Sequence, residues 1–268
     1  MHLGRFSRLS LLLATFAGLA FLYLPLIVVA VLSFSAATTL EWPPQDFTVH
    51  WWGEAAQNQG ARDALWTSVK TATAATAVAL VLGTLASFAV HRFKFFGRDA
   101  ISLIIILPIA LPGIITGIAL NAAFSQVGVE LGFFTLVVAH ATFCIVVVFN
   151  NVVARLRRTS TNLEEASADL GADTFQTFRY VTFPILRTAL LAGALLAFGL
   201  SFDEIVVTTF TAGAGIETLP QWFFNNIFRP VNLPIVNVVA TFVVLVSIIP
   251  VWAAQKLSGE ATGVTSKG

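Results

Sequence analysis

Charge is scarce in this 268-residue chain: only 11% of residues are Asp, Glu, Lys or Arg, against 57% hydrophobic. Ordinary soluble domains carry about a quarter charged residues. That shortage, with a mean hydropathy of +0.84, excludes a water-soluble globular domain. The formal net charge of +1 leaves no electrostatic case for binding nucleic acid. Cysteine is nearly absent, and the single Cys144 rules out an intramolecular disulfide. The four histidines, His2, His50, His91 and His140, are scattered without paired ligands, so no metal site is expected. A phosphate-binding Gly-x-x-x-x-Gly-Lys-Ser/Thr segment is also missing. Gly213-Ala214-Gly215 has no following glycine at the needed spacing and reads as a turn.

What the chain has instead is six apolar blocks: Leu9–Phe34, Leu65–Val90, Ile101–Phe124, Phe133–Val153, Ile185–Phe210 and Ile235–Ala254. Each is about 20 residues or longer, enough to cross roughly 30 Å of hydrocarbon as a helix. Backbone polar groups find no water there, so helix is the form expected. A transmembrane β-barrel needs ~10-residue segments of alternating polarity, and these blocks are continuous. The expected fold class is all-α, a polytopic bundle of six transmembrane helices forming a single domain over residues 1–268. The first block is too long for a secretory h-region of about 7–15 residues and is read as a span.

The cations alternate with the blocks. Arg5 and Arg8 precede the first, and Arg92, Lys94 and Arg98 follow the second. Arg155, Arg157 and Arg158 follow the fourth, Arg179 and Arg187 lie at the start of the fifth, and Lys256 and Lys267 follow the sixth. Only Arg62, Lys70 and Arg229 fall elsewhere. The positive-inside rule then places both termini in the cytoplasm. Thr48 to Gln57, in the first external loop, reads as a short interfacial helix beside Trp51 and Trp52.

Between the fourth and fifth blocks lies a polar loop, residues 159–184. Thr159-Ser160-Thr161-Asn162 followed by Glu164-Glu165 suits a helix N-terminus. Gly171 stops that helix, and Asp173-Thr174 can start another. Phe175, Phe178 and Val181 form an apolar stripe on the second helix, which Pro184 is expected to end. This helix–Gly–helix elbow reads either as a docking element or as an amphipathic linker lying on the membrane.

The spacing here resembles that of permease subunits of binding-protein-dependent ABC importers. Those carry Glu-Ala-Ala, three residues, Gly, nine residues, then Ile-x-Leu-Pro. This chain has Glu165-Ala166-Ser167, three residues, Gly171, nine residues, then Val181-Thr182-Phe183-Pro184. The resemblance implies the type I importer permease fold and makes the elbow a coupling helix seated in a groove of a separate ATPase. Glu165 would be the polar contact, Gly171 the turn, Phe175 and Phe178 the apolar contact. It implies a non-enzymatic transport subunit of a bacterial inner membrane that binds no cofactor itself, with ATP and Mg held by the partner ATPase dimer. A second permease chain in a heterodimer and an extracytoplasmic solute-binding protein complete the implied assembly.

Ser201-Phe202-Asp203-Glu204 places two carboxylates in the fifth block, where an acidic residue costs about 2.5–3.5 kcal/mol at mid-membrane. Asp203 either faces a translocation path for a cationic solute or caps or snorkels; Glu204 is open in the same way. Phe198 and Phe202 could add cation–π surface or simply pack. The run from Glu164 to Pro220 resembles the spermidine/putrescine (PotC-like) branch of the family, which implies a polyamine as substrate. Another small solute, such as an amino-acid derivative or an opine, is the alternative, and an ion-coupled secondary carrier is a further one. A carrier would call for internal repeats and several midplane ionisable groups, which are not evident. A membrane-embedded enzyme would need a catalytic cluster, and His140 with Cys144 lacks a third member. In the third block, Pro108, Pro112 and Gly113 predict a kinked or broken helix, either a gate or a packing kink. Asn121, Ser125, Gln126, Asn150 and Asn151 could join the path or form interhelical hydrogen bonds.

Overall fold

A computed structural model describes residues 4–39, 41–160 and 162–262. Thr161 of the elbow and Lys267 of the C-terminal cations lie outside the described residues. Among the described residues twelve α-helices follow one another: α1 (Arg5–Leu32), α2 (His50–Gln57), α3 (Gln59–Arg92), α4 (Arg98–Ala110), α5 (Gly113–Gln126), α6 (Phe133–Arg157), α7 (Asn162–Asp169), α8 (Thr174–Thr177), α9 (Phe183–Phe202), α10 (Val206–Thr211), α11 (Leu219–Asn226) and α12 (Leu233–Thr262). Five helical stretches among the described residues are long and apolar enough to cross a membrane: Phe6–Leu32, Gln59–Arg92, Phe133–Arg157, Thr174–Phe202 and Pro230–Pro250. A bent pair, α4 and α5, brings the total to six if it counts as one span.

The chain divides into two compact units, one of residues 1–62 and 223–249, the other of residues 63–222 and 250–268. In the first unit α1 is almost wholly exposed, as a helix clad in lipid is. Its C-terminal end is tied to the following loop, where Thr48 N–H donates to the Phe34 carbonyl at 2.7 Å and Phe34 stacks on Trp52. The expected interfacial helix is α2.

The second unit is built around α6, whose buried face runs from Thr135 and Leu136 to Val153 and Leu156. Helices in lipid gain no hydrophobic advantage from pairing, so they rely on close backbone approach and interhelical hydrogen bonds. Both are present. A Cβ on Gly83 would lie 3.0 Å from the Ile145 carbonyl oxygen, so α3 meets α6 backbone to backbone. A ladder of bonds fixes α6 antiparallel to α9 and α10. Arg155 Nε donates to Ile185 O at 3.0 Å, Cys144 Sγ to Ala197 O at 3.3 Å, and Thr135 Oγ1 to Thr211 O at 2.9 Å.

The third block is broken, not merely kinked: α4 and α5 meet at 109°. The break falls at Leu111-Pro112 alone. Pro108 sits inside α4, whereas Leu111 is extended (ψ 144°), the conformation a following proline imposes. The two halves nevertheless advance along α6. Ile105 and Ile106 of α4 pack with Phe149 and Val153 near the Arg157 end. Asn121 of α5 donates to the Phe210 carbonyl at 2.7 Å, toward the Phe133 end. Gly117 makes that contact possible, since a Cβ there would stand 2.7 Å from the Phe210 ring. The pair therefore traverses the unit once, and Asn121 serves packing.

The fifth block is a second correction. It is not continuous from Ile185 to Phe210: α9 ends at Phe202, Asp203 to Ile205 are non-helical, and α10 resumes at Val206. Nor does Pro184 end the preceding helix. Helical structure runs unbroken from Thr174 to Phe202 through a π-turn at Phe178–Thr182, in which Phe183 N–H reaches back five residues to Phe178 O. A proline offers no N–H to the ladder, and the wider π-turn accommodates that missing bond.

Candidate coupling segment and substrate path

The elbow forms as its sequence requires. α7 ends at Asp169, and Gly171 takes φ +84°, a left-handed conformation that favours glycine. Asp173 then caps α8 in a reciprocal box: Gln176 N–H donates to Asp173 Oδ1 at 2.8 Å, and Asp173 N–H to Gln176 Oε1 at 2.9 Å. Ser167 is turned inward and bonds the Thr177 hydroxyl at 3.0 Å, tying the two arms together. Glu165 and Ala166 are exposed.

The residue that anchors the elbow is one the sequence reading passed over. Glu164 Oε1 accepts from the Arg92 guanidinium at the end of α3 and from the Thr182 hydroxyl at 2.6 Å. Arg92 also lies over the Phe88 ring, 5.0 Å from its centroid. A signal was available: Arg92 is among the cations that follow the second block, and a flanking acid on the same side is its natural partner.

The apolar stripe divides. Phe175 is 71% exposed, whereas Phe178 sits edge-on to Phe88 and also contacts Phe183. Both border an open, largely apolar cavity of about 1240 Å³ between α3, the elbow and α9. Pro184 directly follows the π-turn, at the start of α9.

The acidic pair also divides. Glu204 is a helix cap: its Oε1 accepts from Val207 N–H at 2.8 Å, satisfying a free donor of α10. Asp203 is exposed, and its own N–H closes α9 by donating to Gly199 O. Phe198 and Phe202 stack on each other with centroids 5.9 Å apart. Pro112 and Gly113 start α5, and Gly113 faces Val206 and Val207 just past the acidic pair, so the two broken spans meet at their breaks. His140 is fully buried, and Cys144 is bonded separately to Ala197. Asn151 bonds the Val147 carbonyl of its own helix.

The model for binding-protein-dependent transport system inner membrane components matches residues 79–259, from α3 through the elbow to α12. The chain belongs to that family. The permease is 31% identical over 261 residues to the spermidine/putrescine transport system permease protein PotC of Escherichia coli K12, covering 97% of each. It is 32% identical over 234 residues to the putrescine transport system permease protein PotI of the same strain, covering 84% of this chain and 82% of that one. Among solved structures it is similar to a bacterial ABC transporter involved in the import of the acidic polysaccharide alginate. The TM-score there is 0.72 at 18% identity, covering 98% of this chain and 99% of that chain. The permease is thus a multi-pass membrane transport subunit with the ABC-importer permease fold.

Proposed function

We propose that the permease carries a small organic cation, putrescine or spermidine, into the cytoplasm as one half of a heterodimeric ABC importer. The observation that carries this reading is Asp203: an exposed carboxylate at a helix break deep in the chain's apolar sequence, left open because Glu204 does the capping. An unpaired carboxylate in a membrane is costly and marks an ion pathway by default. Protonated polyamines are the complementary ligand, and the similarity to polyamine permeases supports the choice. The stacked Phe198 and Phe202 offer cation–π surface beside it.

Energy enters at the elbow. Glu165, Ala166 and Phe175 form the exposed surface that would seat in a cytoplasmic ATPase, with Ser167, Gly171, Phe178 and Pro184 holding its shape. The cation distribution supports cytoplasmic termini and a cytoplasmic elbow in a bacterial inner membrane. ATP and Mg belong to the ATPase dimer, and an extracytoplasmic binding protein delivers the solute. Closure of the ATPases moves the elbows, the Glu164 clasp passes that movement to α3 and α9, and the breaks at Pro112-Gly113 and at Asp203 serve as hinges of a gate. Energy-dependent uptake of labelled putrescine and spermidine, measured with and without the gene in cells lacking other polyamine transporters, tests the reading. Loss of saturable uptake on deletion and its return on complementation is expected; unchanged uptake overturns the assignment of substrate.

A further inference from the structure

We propose that His140 is the positioning residue that sets the direction in which Asp203 projects, by pinning both sides of the break in the fifth span. The inference rests on the reading of Asp203 as a path residue. His140 lies on α6 with its side chain wholly buried. Its Nδ1 is 2.8 Å from Ser201 Oγ in the last turn of α9, and its Nε2 is 2.8 Å from Thr208 Oγ1 in α10. Those two hydroxyls flank Asp203 to Ile205, the three residues where the helix is interrupted.

The hydrogen-bond chain assigns the roles. Thr208 Oγ1 donates its one proton to the Glu204 carbonyl at 2.8 Å, so its oxygen receives the Nε2 hydrogen. Nδ1 is then the acceptor for the Ser201 hydroxyl. A neutral imidazole, donor at one end and acceptor at the other, is the side chain that completes this row. Ser201 and Thr208 are 3% and 0% exposed, so without it the Ser201 hydroxyl would lose its acceptor and the Thr208 oxygen its donor. An apolar residue of similar volume would fill the space but break both ties across the interruption, so packing alone does not select histidine here. The Phe143 ring, 5.5 Å from the imidazole centroid, holds it from the side. Glu204 is joined to the same row through its carbonyl while its carboxylate caps α10, which leaves Asp203 as the unconstrained carboxylate at the break.

The test uses the full transporter with Cys144→Ala and Asp203→Cys, so that one thiol reports on position 203. Its rate of reaction with a membrane-impermeant maleimide is compared with and without His140→Leu, and Asp173→Cys on the elbow serves as control. A shift of about tenfold at position 203, the scale of one lost buried hydrogen bond, is expected, with none at position 173. Ser201→Ala and Thr208→Val, each removing one tie, should give smaller shifts in the same direction, and His140→Gln should restore part of the rate. These three also serve if His140→Leu does not assemble. In the native background, uptake by the His140→Leu, Asp203→Asn double variant should equal that of Asp203→Asn alone. Unchanged labelling in the His140, Ser201 and Thr208 variants, or additive losses of uptake, overturns the proposal. Shifted labelling with normal uptake by Asp203→Asn supports the positioning role and overturns the path reading instead.

Discussion

Removing the Glu164 carboxylate should release the elbow from the helices it steers. In Glu164→Ala two interactions disappear together. The first is the pair with Arg92, whose side chains are 35% and 23% exposed, Arg92 first; a pair so wetted is worth about 0.5–1 kcal/mol. The second is the bond from Thr182, 2.6 Å long and made by a residue 3% exposed, which a hydroxyl donating to a charged acceptor makes worth roughly 1.5–3 kcal/mol. Together they amount to about 2–4 kcal/mol of anchoring, equivalent to roughly 30- to 700-fold in a local opening equilibrium. Amide hydrogen exchange of residues 162–177 in the assembled transporter reads that equilibrium directly. Glu164→Gln keeps an acceptor for Thr182 and loses the charge, so it should exchange at an intermediate rate. Uptake should fall in the same order while ATP hydrolysis continues, because the ATPase would then move an elbow that no longer moves the span. Exchange within about threefold of the parent in Glu164→Ala would refute the reasoning, since the clasp would then contribute less than ~0.7 kcal/mol.

Gly171→Pro should abolish uptake with membrane insertion intact, because proline cannot take φ +84°; Gly171→Ala, at a cost of about 1–2 kcal/mol, should retain a fraction. Uptake assays with immunoblots of the membrane fraction check both. Glu165→Lys should abolish uptake without loosening the elbow, since Glu165 is exposed and Glu164 holds the clasp; copurification of the ATPase is the measurement, and normal copurification contradicts the docking role. Asp203→Asn should lower uptake at saturating solute by about tenfold or more without altering solute affinity of the external binding protein, whereas Glu204→Ala should cost about 1 kcal/mol of α10 stability, read as greater exchange at residues 206–211. Gly117→Leu should push α5 off Phe210, where a Cβ already has only 2.7 Å, and lower the yield of folded protein; Gly117→Ala should be milder.

The spans were legible because lipid leaves a long apolar segment one structural option, and the elbow was legible because capping residues and Gly171 act locally. The two breaks were only half legible. Proline announced the one at Leu111-Pro112, yet nothing local says that Pro108 would be absorbed into α4 while Pro112 was not. The break at Asp203 carries neither proline nor glycine; it depends on Ser201, Thr208 and His140 meeting across 61 and 68 residues of chain, and on Glu204 finding Val207 N–H. Pro184 misled in the opposite sense, because a π-turn let the helix continue through it. The division of labour between Glu164 and Glu165, adjacent and chemically alike, is set by which of them Arg92 and Thr182 can reach.

The most direct test of the account is transport by the purified assembly, with this permease, its partner permease and its ATPases in proteoliposomes and the solute-binding protein supplied on the outer face. The account predicts ATP-dependent accumulation of labelled putrescine or spermidine that vanishes when Asp203 is replaced by Asn. ATP-dependent accumulation of an uncharged or anionic solute, with polyamines excluded and Asp203→Asn fully active, would contradict it.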